Sequence, residues 1–552
     1  MRNNKLPLNT KIILFSLLIL AAVFRFYNLN WDEGHFFHSD ERNIAMGVAN
    51  LVFFSQMDPK FYAYGGFLIY LYKITADIAG SILSMPTLAI DWAYINVLGR
   101  YYSAFFSTMT IIPLFLLAQK VFNKKTALIS VFFYAICVSS IQTAHFSITE
   151  NLLSFIIVTL TLLSILYYEK SSLKIIMITG ILLGIAVGTK TTGLSFFLIP
   201  LSALALGLLQ KKTSFKKVFT HLLFLIFLAL FVFTLTSPFT FLNWEDFYRS
   251  MKFENEVVLG INPVVYTLQF TGTPSYLYQL SNLFWQVGPF FLFCLFGIFS
   301  VGKNIIQKRN PYIILAFIFP LIYFLYVGSW HTKFIRYMIP TIPFFILLGA
   351  SFLDDFSKRF QKIGSLALIL FIFSSFIYTL SFFSIYTRPQ TRITASEWIY
   401  KNIPHNSIIL NEHWDEGLPI PRISGSPDNY QLHQLTLYEP DNPEKITYYS
   451  DMLSTAEYIT ITTRRLHGTL IRLSDKYPVT SVYYSLLFEE KLGYQKIAEF
   501  SSYPQLFGII LNDDLAEETF QVYDHPTSFV FKNVQKMSSE EIELLFNESV
   551  RF

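Results

Sequence analysis

Apolar runs recur along this chain at about 11 places, each near the ~20 residues that a helix needs to cross the hydrocarbon core of a bilayer. They lie near 11–28, 95–119, 126–144, 151–168, 173–190, 192–209, 218–236, 280–300, 311–328, 335–353 and 363–384. In lipid every backbone donor and acceptor must be satisfied within the segment, so runs of this kind fold as helices. Composition agrees: of 552 residues, 53% are hydrophobic and only 14% charged, against about a quarter charged in a soluble domain. The 58 phenylalanines suit lipid-facing and helix-packing surfaces. The chain is therefore expected to be a polytopic α-helical membrane protein. Its first apolar stretch, Ile12 to Phe24, is short enough for a signal peptide, but no small-x-small cleavage site follows it and many spans come after, so it reads as a retained anchor.

Two classes of function are excluded early. The net charge of +4 is small and the basic residues are dispersed, so nucleic acid is not an expected partner. The two cysteines, Cys137 and Cys294, both fall inside apolar runs, which argues against a disulfide scaffold and rules out a cysteine metal cluster.

Charge sets the expected orientation. One series of loops is short and basic: Lys124-Lys125, Lys170 with Lys174, Lys211-Lys212 with Lys216-Lys217, Lys303 with Lys308-Arg309, and Lys358-Arg359 with Lys362. The N-terminus carries Arg2, Lys5 and Lys11. The positive-inside rule puts this series in the cytoplasm, and an odd number of spans then puts the C-terminus outside. The expected localisation is a multi-pass cell-membrane protein with a cytoplasmic N-terminus. The outer segments are the longer ones, 29–94, 237–279 and the tail. The expected division is a membrane domain over 1–385 and an extracytoplasmic soluble α/β domain over 386–552. In the tail, Ser407–Asn411 and Tyr458–Thr462 read as strands, and Ala395–Asn402 and Leu466–Lys476 as helices. Ser538-Ser-Glu-Glu541 has the form of a capping box opening a last helix.

The chemistry-bearing residues gather on the outer side. Asp40 and Glu41 follow the first span. A boundary carboxylate pair can simply be hydrated, but an Asp held near an attacking hydroxyl can accept its proton. Neighbours on a helix do not share a face, so one carboxylate can act on an acceptor while the other orients basic groups. Arg336 opens the tenth run in Arg336-Tyr337-Met338-Ile339-Pro340-Thr341-Ile342-Pro343, with His331 and Lys333 close by. Snorkelling explains a lone Arg at a helix end. It explains less well three basic residues on the side where they are under-represented, and a cationic clamp on phosphate fits better. Lys190, in the tight turn Gly188-Thr189-Lys190-Thr191-Thr192-Gly193, also stands against the charge rule and favours an anionic partner. The spacing of a Walker loop is absent, so an ATP site is rejected. His145 and Glu150 form another outer turn, either capping helix ends or facing the same cavity. Trp244-Glu245-Asp246 and Glu254-Asn255-Glu256 read as solvated faces or helix caps. Cofactor use is left open between none and a divalent cation, because the outer carboxylates lack a diagnostic ligand spacing; no metal ligand is assigned.

An outer Asp-Glu after the first span, a Lys-Thr near the fifth and Arg-Tyr-x-x-Pro-x-x-Pro late in the membrane domain resemble the GT-C glycosyltransferases, in particular the protein O-mannosyltransferase and aminoarabinose lipid A transferase group. The resemblance covers roughly residues 10 to 385. The tail segments Ala395–Pro404 and Val522–Pro526 are similar to outer domains of microbial members. The resemblance implies a GT-C fold and transfer of mannose or a similar hexose or pentose from a polyprenyl-phosphate donor to an acceptor outside the cytoplasm, a protein, lipid or glycan, with inversion. Asp40 carries over as the base, with Glu41 beside it. Arg336, and with it Lys190 and Lys333, carries over as the phosphate-binding set. Arg42, Lys60, His145, Glu150, His331 and Tyr337 are further substrate-site candidates. Relatives carry Lys-Pro-Pro or His-Pro-Pro later in the first loop, where this chain has Asp58-Pro59-Lys60. The alternative is a transporter or flippase of a lipid-linked anion; the absence of internal repeats and the clustering of polar residues at one face weigh against it.

Overall fold

The computed structural model describes residues 7–308 and 310–550. The chain divides into two compact units: the residues up to Leu259 with Pro274–Phe383, and Gly260–Thr273 with the residues from Ser384 onward.

The first unit is helical throughout. Among the described residues, eight helices are long and apolar enough to cross a membrane. The bent pair Lys124–Ala135 and Val138–Ala144, meeting at 49°, makes up to nine if it is one span. Two further expected runs are the 17-residue apolar helices Leu173–Thr189 and Pro311–Val327, whose rise of about 26 Å is short of the ~30 Å core. Helix starts follow the local sequence. Asp91 accepts hydrogen bonds from the amides of Ala93 (2.8 Å) and Tyr94 (3.2 Å) and opens Trp92–Met109; Asn123 does the same for Lys124–Ala135. These satisfy donors that a helix start otherwise leaves orphaned.

Small residues set the closest helix contacts. Gly180, Gly184 and Gly188, one turn apart, face the helix Phe215–Thr236, and a Cβ at Gly184 would stand 2.6 Å from the Val232 Cβ. Such stripes let backbones approach where lipid supplies no hydrophobic drive between helices. The same principle docks the first outer loop. A Cβ on Gly65 would collide with the Gly188 carbonyl, the Gly65 amide donates to Thr189 O at 3.0 Å, and the Gly66 amide donates to Ser237 Oγ at 2.8 Å. The loop is thus fastened to the end of Leu173–Thr189, next to Lys190.

The second unit is an α/β domain. Its strands are β1 (Ile408–Glu412), β2 (Gln431–Leu435), β3 (Tyr458–Ile461), β4 (Tyr494–Phe500), β5 (Gln505–Leu506), β6 (Ile509–Ile510) and β7 (Ser528–Asn533). Five form a mixed sheet in the order β2-β1-β3-β7-β4, parallel across β2-β1-β3 and antiparallel from β3 to β7 and β7 to β4. Strands β5 and β6 make a separate hairpin. The core gathers Leu410, Ile459 and Phe531 from the sheet with Tyr449, Tyr483, Leu487 and Phe546 from covering helices. The last helix, Ser539–Ser549, opens with the expected capping box: the Glu541 amide donates to Ser538 Oγ and the Ser538 amide to Glu541 Oε2. Leu466–Lys476, expected as one helix, is instead the short helix His467–Leu470 followed by a 3₁₀ turn. Gly260–Thr273, expected within an outer loop of the membrane domain, groups here because Leu268 enters this core and Arg472 donates to the Gln269 and Thr271 carbonyls at 2.6 and 2.8 Å. Both cysteines are buried and free.

Candidate active site

The helix Ser39–Ala49 carries the carboxylate pair in its first turn, where acids complement the helix dipole. His38 caps it, its Nδ1 accepting from the Asp40 amide at 3.2 Å. One residue of rotation sends the two carboxylates to different partners. Asp40 receives Arg336 NH1 at 2.5 Å and the Tyr64 hydroxyl. Burial pushes its carboxyl up, and Arg336 and His38 more than offset this, leaving it below the usual range. His38 itself is brought down to about 4, chiefly by burial, so it is neutral near pH 7.

Glu41 turns into the protein. Its oxygens receive Arg100 Nε at 2.7 Å and NH2 at 2.8 Å, and Oε1 also accepts the Ser147 amide at 2.6 Å. The same guanidinium reaches Asp32 through NH1 (2.9 Å) and NH2 (2.6 Å), and donates to Leu29 O at 2.9 Å. Asp32, Glu41 and Arg100 are all fully buried. Burial pushes the Glu41 carboxyl up further than Arg100 pulls it down, while Asp32 stays below its usual value because Arg100 outweighs its burial. Gly99 makes this cluster possible, since any side chain there would occupy the place of Ser147. The Asp32–Arg100 core was not singled out from the sequence; a buried-looking Arg inside an apolar run was the available signal.

Beside Asp40 lies a cavity of about 380 Å³, lined among others by Tyr64, Glu150, Lys190, Glu254, Arg336 and Tyr337. Lys190 Nζ meets Glu150 Oε1 at 2.9 Å and sits 4.9 Å from the Tyr64 ring centroid and 5.9 Å from that of Tyr337. Both cations on the wall are thus paired with carboxylates and flanked by aromatic faces, which favour cations electrostatically. Tyr323 and Trp330 complete the aromatic wall. Glu254 and Asn255, expected as solvated, line this cavity because the helix Trp244–Leu259 lays its Met251, Glu254, Asn255, Val258 face on it. Burial, then the nearby Asp40, raise the Glu254 carboxyl.

The structure brings together Asp40, Glu150, Lys190, Arg336 and Tyr337, and not the rest of the expected set. Lys60 is an exposed lysine paired with Asp58 at 2.8 Å, in a cluster that Tyr62 and Asn243 complete. His145 is fully buried with its ring nitrogens 2.8 and 2.9 Å from the Ile141 and Tyr27 carbonyls, a bridge between chain segments. Lys333 is buried and donates to the His331 carbonyl at 2.9 Å. Lys333, His331 and Arg42 are not on the cavity wall. Among the described residues no three or more His, Cys, Asp and Glu side chains come together so as to hold a metal ion.

The family model for dolichyl-phosphate-mannose-protein mannosyltransferases matches residues 96–236. No curated protein matches the chain. Among solved structures, the Archaeoglobus fulgidus oligosaccharyltransferase tethered to an acceptor peptide is similar at a TM-score of 0.51 and 13% identity, over 95% of this chain and 88% of that one. The same organism's enzyme with an inhibitory peptide and a dolichol-phosphate is similar at a TM-score of 0.51 and 14% identity, over 92% and 76%. The protein is a polytopic helical membrane protein with the GT-C fold and a C-terminal α/β region. The family model agrees with the resemblance to GT-C glycosyltransferases read from the motifs, and the solved structures share the fold.

Proposed function

We propose that the protein is a membrane glycosyltransferase that moves a sugar, mannose or a related hexose or pentose, from a polyprenyl-phosphate donor to an acceptor on the non-cytoplasmic side, with the N-terminus in the cytoplasm and the C-terminal domain outside. The observation that carries this reading is the convergence of Arg336 and Lys190 on one aromatic-walled cavity beside Asp40. The match of residues 96–236 to a family whose donor is a lipid-phosphate sugar supports it.

In this reading the donor phosphate takes over Arg336 and Lys190 from Asp40 and Glu150. The acceptor hydroxyl oxygen forms a bond to the anomeric carbon from the face opposite the phosphate, the carbon–oxygen bond to the phosphate breaks, and its electron pair leaves with polyprenyl phosphate. Asp40, released from Arg336, takes the hydroxyl proton. Charge building on the leaving phosphate meets two preplaced cations, the kind of electrostatic stabilisation that usually dominates such reactions. Asp32, Glu41 and Arg100 act as positioning residues that fix the helix Ser39–Ala49, and Glu254 faces the sugar hydroxyls.

The test is transfer by the purified protein in liposomes, from radiolabelled polyprenyl-phosphate mannose, glucose and arabinose donors to a membrane extract. Label moved by wild type and lost in Arg336→Ala supports the reading. Donor bound but never consumed, whatever the sugar, refutes it and favours a transporter of lipid-linked anions.

A further inference from the structure

The β5–β6 hairpin has no counterpart in the five-stranded sheet and displays what a soluble surface ordinarily hides. From Pro504 to Leu511 it contains no charged residue. At its tip Phe507 is 95% exposed, Ile509 69% and Ile510 58%. The turn is tight, with positive φ at Phe507 and Gly508, so the apolar side chains are held outward by backbone geometry. Contiguous exposed apolar surface of this kind marks an interaction site.

The base of the hairpin says what it meets. The Gln505 amide donates to Ser384 Oγ at 3.1 Å. Arg388 ties the same place, donating to Ser384 Oγ at 3.2 Å and to the Tyr503 carbonyl at 2.7 Å. Ser384 is the residue directly after Gln361–Phe383, the last apolar helix. At about 3.4 Å per strand residue the tip lies within roughly 7–10 Å of that point, a reach comparable with the depth to which amphipathic segments enter the bilayer interface. Tyr503 stands at the base with its hydroxyl 3.1 and 3.0 Å from the Asp514 carboxylate, an aromatic with a polar end of the kind found where membrane meets water.

We infer that the β5–β6 hairpin dips into the lipid leaflet at which Gln361–Phe383 ends, with Phe507, Ile509 and Ile510 among the acyl chains, and so holds the α/β domain at the membrane surface. The occupant is lipid.

The experiment places an environment-sensitive NBD label at Phe507→Cys in the full-length protein, reconstituted in phosphatidylcholine–phosphatidylglycerol nanodiscs with and without tail-spin-labelled lipid. The native cysteines are buried, and labelled wild type gives the background. Ile423→Cys, an equally exposed apolar position of the same domain in the turn closed by the Arg422–Gly425 bridge, is the comparison. The expected result is a several-fold brighter, blue-shifted emission at 507, quenched by the spin-labelled tails, with neither change at 423. The same response at both sites, or a water-exposed label at 507, overturns the inference; with no other protein in the disc, the latter is what a tip built for a protein partner would give. Because Phe507 is almost fully exposed, its replacement leaves folding untouched.

Discussion

Glu41→Gln set against Asp40→Asn separates position from chemistry in the carboxylate pair. In the wild type one guanidinium serves two buried carboxyl groups, those of Asp32 and Glu41. A glutamine at 41 keeps the oxygen that accepts Arg100 Nε and the Ser147 amide, and sets an amide N–H₂ against Arg100 NH2 where a carboxylate oxygen stood at 2.8 Å. Losing one charge-assisted hydrogen bond costs about 1.5–3 kcal/mol. Relief of the repulsion with Asp32 and of the burial that raises the Glu41 carboxyl offsets part of it, leaving a net loss of about 1–2 kcal/mol in stability. Nothing in that change reaches the cavity wall. Transfer per folded molecule should therefore fall less than about tenfold, equivalent to under about 1.4 kcal/mol of transition-state stabilisation.

Asp40→Asn removes the proposed proton acceptor and should lower transfer by about 100- to 10,000-fold, with donor binding within a few fold of wild type. The assay is transfer from the donor that wild type uses, normalised to folded protein by thermal unfolding of each variant. A Glu41→Gln protein that melts close to wild type and is as inactive as Asp40→Asn would refute the assignment of Glu41 to positioning. Full activity in Asp40→Asn would refute the base assignment.

Gly65→Ala should cost about 1–3 kcal/mol and reduce transfer with it, because its methyl group meets the Gly188 carbonyl and pushes Tyr64 off Lys190; unchanged melting and activity would show that the loop is not held there. Glu254→Gln should raise the donor KM several-fold with kcat little changed, since Glu254 lines the cavity wall and is proposed to face the sugar; steady-state kinetics decide, and a collapse of kcat alone would make Glu254 the base instead. In the α/β domain, His525 is fully buried between Asp524 (2.5 Å) and Asp513 (2.6 Å). Burial lowers its pKa, but the two carboxylates raise it further, to about 10. A folded pKa above the ordinary value of 6.5 means that this stabilisation is complete below about pH 6.5 and is lost as pH climbs through about 10. His525→Asn should cost roughly 3–5 kcal/mol and flatten that slope; an equal slope in the variant, followed by thermal unfolding from pH 6 to 10, would refute it.

What the sequence made legible follows from which interactions are local. Apolar runs, the Asp-Glu after the first span and the Ser538–Glu541 capping box are read within a few residues of themselves, and the structure has them. The partners of Asp40 and Glu41 are not local: Arg336 lies 296 positions away and Arg100 59. Arg336 was found because it broke the charge rule at a boundary. Arg100 was missed because it sits inside an apolar run, near its start, where its charge is answered only by residues brought there by folding. The stripe Gly180-x-x-x-Gly184-x-x-x-Gly188 was visible in the sequence, but its use depended on which helix lay opposite. Glu254 shows the same limit in reverse: its amphipathic helix reads as solvated from either side until the cavity is known to lie against one face.

The site's electrostatics make a stronger argument than its residue list. Asp40–Arg336 and Glu150–Lys190 form two ion pairs on or beside one cavity wall, and an unliganded site arranged this way is a poor trap for a neutral sugar. A dianionic or monoanionic phosphate changes the balance, because it can take both cations at once while each carboxylate loses only one partner. Arg binds phosphate bidentately and Lys as a point charge, so the exchange is most favourable for a group that bridges the two. Binding would then couple directly to catalysis, since the event that occupies Arg336 also frees Asp40. An Arg336→Lys variant keeps the charge and loses the fork. It should bind donor several-fold more weakly and lose more in kcat than in KM, because Asp40 is then released less completely. An Arg336→Lys protein whose kcat equals wild type, with only KM raised, would show that the Asp40–Arg336 pair is an anchor and that proton transfer does not depend on its exchange.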